Sequence, residues 1–131
     1  MTVPAWRWIK ESSVLAIHDE QIAEHGGLAG VRDLPLLHSE LAPQNLEGCG
    51  SPDLADLAAA YAVGITLNRA FLDGNKRTAF LTGFVFLYEN GRTILAEQAE
   101  VIAAMLSLAD HTLDETGYAA WLREHTAPNQ S

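Results

Sequence analysis

The chain contains one cysteine, Cys49, which excludes an internal disulfide framework and makes a reducing cytoplasm the expected compartment. Cys49 sits in a Gly-rich stretch with no metal ligand or base close in sequence, so it is a poor candidate nucleophile or ligand. Cations are scarce as well: 8 Lys and Arg stand against 17 Asp and Glu, for a net charge of −9. A protein of that sign has little to neutralise a phosphate backbone, so direct nucleic-acid binding is not expected. No apolar run is long enough to cross a bilayer, and residues 1–10 carry Trp6 and Trp8 rather than the pattern of a signal peptide. Neither membrane nor secretion is therefore expected. What is plentiful is apolar residue, 48% of 131, enough for one domain over 1–131 with a buried core.

The apolar pattern is helical nearly throughout and predicts an all-α bundle of about six helices. Val14, Ile17, Gln21 and Ile22 have helical spacing over 13–25, and Gly26-Gly27 supplies a C-terminal stop. Asp33 is placed to cap a second helix through Leu41, with Pro35 tolerated in its first turn and Arg32-Asp33 read as a cap and ion pair. Residues 43–51 form a turn-rich loop, after which Ser51 as cap and Pro52 as first helical residue predict a third helix. Its stripe is Leu54, Leu57, Ala58, Tyr61 and Ile65, ending at Asn68 and Arg69. The next helix, Asn75 to Glu89, is apolar almost all round and is expected to be the buried centre. Arg92 to Leu95 reads as a short extended piece. A fifth helix is expected to turn Val101, Ile102, Met105 and Leu106 inward, and a sixth to start at a Thr112/Glu115 capping box and bury Tyr118, Trp121 and Leu122. The tail over 127–131 is expected to fray. Trp6 and Trp8 are read as packing residues.

Between the third and fourth helices lies the stretch Arg69-Ala70-Phe71-Leu72-Asp73-Gly74-Asn75-Lys76-Arg77. A helix that begins at Asn75 offers unpaired N–H groups and the positive end of its dipole, a ready site for an anion. Gly74 leaves room for a phosphate to approach the backbone, and Lys76 and Arg77 add charge. Asp73 would repel a bare phosphate, which fits if Mg²⁺ lies between them. Phe71 is read as an anchor in the core and Asn68 as a support for the loop. Composition alone also suits a plain helix start, with Asp73 as cap and two solvated cations.

The spacing Phe71, Asp73, Gly74, Asn75, Arg77 resembles the signature of the Fic/Doc family, and His18-Asp19, Gly26-Gly27-Leu28 and Gly30-Val31-Arg32-Asp33 are similar to the N-terminal half of its Doc branch. The likeness covers about 14–125 and implies the Fic/Doc fold, with 43–51 as a short flap that aligns the target chain. Lys76, where Fic nucleotidyltransferases usually have Gly, and Phe80, where they have a second Arg, point to the Doc side. The resemblance implies a toxin of a bacterial toxin–antitoxin pair: a protein Ser/Thr kinase using ATP and Mg²⁺ to phosphorylate translation elongation factor Tu and block translation. It implies phosphate contacts at Gly74, Asn75, Lys76 and Arg77, with Asp73 holding Mg²⁺. The alternatives are AMP transfer in the Fic manner, or a pseudoenzyme that binds nucleotide or a partner without turnover.

One position departs. The family has a histidine where this chain has Arg69, and that histidine takes the proton from the attacking hydroxyl. Arginine stays protonated and does not serve as a base, so little transferase activity is expected of this chain. Either a degenerate enzyme or a toxin disabled by a one-codon change fits; the second is preferred. The family's inhibitory Ser/Thr-x-x-x-Glu-Gly/Asn motif is missing here, which implies restraint in trans by a Phd-like antitoxin with a disordered tail. His18-Asp19 invites comparison with metal-dependent phosphohydrolases, but His25, His38, His111 and His125 supply no matching spacing; a structural role on the helix surface is the expectation.

Overall fold

The computed structural model describes residues 6–41 and 52–129. Among them are six helices, α1 (Glu11–His25), α2 (Leu34–Glu40), α3 (Leu54–Asn68), α4 (Asn75–Glu89), α5 (Gln98–Ala109) and α6 (Glu115–Glu124). Two three-residue strands, β1 (Arg92–Ile94) and β2 (Thr126–Pro128), complete the helical bundle that the sequence pattern predicts. The expected flap at 43–51, and with it Cys49 and the Ser51 cap, lies outside the described residues.

α3 and α4 form a hairpin about which everything else packs. The short 69–74 connection folds one back on the other: Tyr61 lies 5.1 Å from Phe86 between ring centroids, and Gly83 faces the Ala58 carbonyl. The approach is close because α3 presents Ala55, Ala58, Ala59 and Ala62, all buried, and Gly83 adds no side chain. α4 also touches α1, β1 and α5, which makes it the central helix. Its deepest stripe is Asn75, Thr78, Ala79, Thr82, Gly83, Phe86 and Leu87, whereas Phe80, Leu81, Phe84 and Val85 are half-buried. Trp8 stacks on Phe86 at 5.9 Å, and Trp6 packs on the same core.

Several helix ends and faces differ from the sequence expectations. α3 is capped by Asp53, not Ser51, in a reciprocal pair with Asp56 at 2.9 and 3.0 Å. Arg123 on α6 grips Asp53 at 2.9 and 3.1 Å and Asp56 at 2.7 Å, and that guanidinium lowers the Asp53 carboxyl to about 2. α6 is capped by Asp114, which accepts from the Gly117 N–H at 2.7 Å; Thr112 is instead engaged by Asp110 at 2.6 Å. On α5 the inward stripe is Ala104, Met105 and Leu108, while Ile102 and Leu106 are each 52% exposed. The tail expected to fray at 127–131 is paired as far as Asn129. β2 runs antiparallel to β1 with Ile94 opposite Thr126, and Asn129 donates to Gly91 at 3.0 Å and Tyr88 at 2.8 Å.

Candidate functional site

The loop over 69–74 is built by stopping one helix and starting the next almost at once. Arg69 takes left-handed backbone (φ 53, ψ 53) as the C-cap of α3, its N–H on the Ile65 carbonyl. Gly74 is also left-handed (φ 76) and caps the start of α4. A side chain at Gly74 would sit in a strained backbone and meet Ile22 at 3.3 Å. Between these two turns, the side chain of Asn75 folds back on Phe71. Its Oδ1 accepts the Phe71 N–H at 3.1 Å and its Nδ2 donates to the Phe71 carbonyl at 3.0 Å. Asn75 is buried, so both ends of the amide are spent within the loop. The Asn75 side chain is thus a clamp for the loop, and its backbone N–H lies in the first turn of α4.

The segment after α1 supplies the second wall of the loop. Ala70 accepts from the N–H groups of Arg32 and Asp33 at 2.7 and 3.0 Å, and Leu72 donates to Gly30 at 3.2 Å. The Arg32 guanidinium donates to the carbonyls of Arg69 and Asn68, each at 2.8 Å, meeting the negative end of α3 with a cation. Arg32 is thus a brace for the loop rather than the partner of Asp33, which caps α2 through the Leu36 N–H at 3.0 Å. His18 is buried, not on the helix surface. Its ring stacks on Phe71 at 3.9 Å and its Nε2–H donates to the Asp73 carbonyl at 2.8 Å. Its place four residues after Val14 and four before Ile22, on the apolar stripe of α1, was the signal for this. Phe71 is itself 1% exposed.

These constraints leave a cleft of about 360 Å³ whose lining includes Arg69, Asp73, Gly74, Asn75, Lys76 and His111. That volume suits a small-molecule ligand. The N–H groups of Asn75, Lys76 and Arg77 belong to the first turn of α4, where no helical acceptor exists for them. Unpaired backbone N–H groups, two cationic residues and one carboxylate therefore share one opening. Arg77, expected as a phosphate contact, does not line it and is exposed at the next position round the helix. Asn68 is exposed and contributes its carbonyl to Arg32 and its side chain to the surroundings of Glu40. His111, which sequence spacing left without a role, joins the wall from the turn after α5.

Asp73 decides what metal the cleft suits. Its Oδ2 accepts the Leu28 N–H at 2.8 Å, made possible by the close pass of Gly27, where a Cβ would lie 3.2 Å from Asp73 Cβ. One carboxylate oxygen is left for another partner. Among the described residues no group of three or more His, Cys, Asp or Glu is arranged to hold a metal. A self-sufficient metal cage is thus not found among them, whereas one free carboxylate oxygen beside the start of α4 would fit Mg²⁺ that brought further ligands of its own.

The sequence model of the Fic/DOC family matches residues 8–87. The chain is 30% identical over 92 residues to the protein kinase doc of Escherichia phage P1, covering 65% of this chain and 69% of that protein. It is 36% identical over 107 residues to the toxin Doc of Mycolicibacterium smegmatis, covering 72% of this chain and 82% of that one. The family match ends two residues short of the end of α4 and takes in the whole 69–77 stretch. No described helix is long and apolar enough to cross a membrane.

Proposed function

The chain belongs to the Fic/DOC family, and on that premise we propose that it is a Doc-type toxin of a bacterial toxin–antitoxin pair, built to move the terminal phosphate of ATP to a Ser or Thr of translation elongation factor Tu. The observation that carries this reading is the start of α4. Gly74, Asn75 and Lys76, the last two with unpaired first-turn N–H groups, line one cleft, fixed from behind by His18, Phe71 and Asn75. In this reading the α4 N-terminus and Lys76 hold the phosphates and stabilise the charge that builds on the transferring group. Mg²⁺, when bound with the nucleotide, supplies further charge neutralisation, and the open oxygen of Asp73 is the carboxylate positioned to hold it. The attacking hydroxyl forms a bond to the terminal phosphorus, the bond to the bridging oxygen breaks, and ADP leaves. The hydroxyl proton needs an acceptor at position 69.

Arg69 removes that acceptor. Its guanidinium stays charged, so the cleft keeps its affinity for phosphate and loses the proton transfer, a factor of about 10²–10⁴ where general bases have been deleted. Restraint by a Phd-like antitoxin belongs to the same proposal, as does a cytoplasmic setting. Arg69 also favours a second reading, a nucleotide- or partner-binding protein without turnover. Both are tested by Arg69→His. The toxin reading expects growth arrest on induction, and transfer to elongation factor Tu of label from the terminal phosphate of ATP. Normal growth with no label transferred would leave the non-catalytic reading in its place. Transfer of α-phosphate label instead would make the protein a nucleotidyltransferase.

A further inference from the structure

We propose that His111 is a ligand-contacting residue of the cleft, its imidazole packing against the nucleoside end of a nucleotide whose phosphates lie at the start of α4. This rests on the nucleotide-binding reading above and adds to it the residue that recognises the other end of the ligand.

The backbone carries the first argument. Gly26, Gly27, Gly30, Gly74 and Gly91 take positive φ, as glycine does at little cost. Among the described residues two others do so, Arg69 (φ 53) and His111 (φ 66), and both line the same cleft. At every other described position that needs this conformation the chain uses glycine. A side chain kept in a conformation that L residues rarely adopt is a reason to look for what that side chain does.

The turn around His111 does not need the imidazole. Asp110 accepts from the Thr112 N–H and hydroxyl at 2.9 and 2.6 Å, and the His111 N–H itself donates to Leu108 at 3.2 Å. The backbone is closed by these bonds, while the ring of His111 makes no hydrogen bond to any described residue. It lies on the cleft wall contributed by the end of α5, beside Ala109. The anion end of the cleft is complete without it, since Lys76, Arg69 and the α4 N–H groups are all on the other elements. A flat, polar-edged ring beside a small residue suits the face of a nucleobase, which any aromatic ring can stack upon.

Binding to the unaltered chain separates the possibilities, because it requires no turnover. Mg-ATP and inorganic triphosphate are titrated by calorimetry into the chain and into His111→Gly and His111→Asn, both of which tolerate the left-handed backbone. The proposal expects each variant to lose on the order of tenfold in ATP affinity, with triphosphate affinity unchanged and thermal unfolding no lower than in the parent. Equal ATP affinity in parent and variants overturns it, leaving His111 as a turn residue and the nucleotide-binding reading intact. An equal loss for ATP and triphosphate also overturns it, because the contact is then to phosphate. Failure of the parent to bind ATP overturns both readings together.

Discussion

Glu40, at the end of α2, is 8% exposed, and among the described residues neither of its carboxylate oxygens meets a hydrogen-bond partner at full bonding geometry, the Asn68 side chain being the nearest to one. Burial pushes its carboxyl up to about 7, the Asn68 side chain opposes the shift, and the Asp33 charge adds to it. The folded value lies above the unfolded one, so Glu40 takes up a proton on folding. The stability it contributes is full below pH 4.5 and is lost as the pH rises through 7. Glu40→Gln should therefore gain roughly 2 kcal/mol more over the parent at pH 8 than at pH 5, from urea unfolding at the two values. An equal effect at both pH values would mean the carboxyl is not held in its neutral form. Asn68, which the sequence offered as a loop support, links this buried acid to the end of α3 beside the cleft.

At the scale of elements, the α3/α4 hairpin was the most legible part of the chain and its reasons are visible in single residues. Alanines at 55, 58, 59 and 62 and Gly83 set a close helix approach, and Ala58→Leu should cost about 1–3 kcal/mol by overpacking. Denaturant midpoint measures that loss, and an unchanged midpoint would show that the two helices are not held this tightly. The faces of α5 were not legible, because Val101, Ala104, Met105 and Leu108 make as good a stripe as Ile102, Met105 and Leu106. Which stripe turns inward is decided by α3, α4 and α6, not by α5 itself. Helix caps failed for a related reason. Ser51, Asp53, Thr112 and Asp114 are all good caps, and the grip on Asp53 comes from a residue 70 positions away, Arg123. The candidate stretch over 69–77 was legible as one loop and helix start because its residues are contiguous. Its braces, His18 and Arg32, could not be assigned to it: they come from a different helix and loop and act on backbone atoms.

For the molecule as a whole, a net charge of −9 surrounds one opening where Arg69, Lys76 and the positive end of α4 converge. A second hollow of about 270 Å³ carries Arg7 and Lys10 beside Trp8 at the start of α1, and Glu89 adds a carboxylate to its wall. Among the described residues both hollows carry cations, so binding has to be located residue by residue. The most direct test is the amide spectrum of the full chain during titration with Mg-ATP. Saturable shifts at Gly74, Asn75, Lys76 and Arg77, abolished by Lys76→Ala, are the result expected. Shifts confined to Arg7, Trp8 and Lys10, or none at all, would contradict a phosphate site at the start of α4.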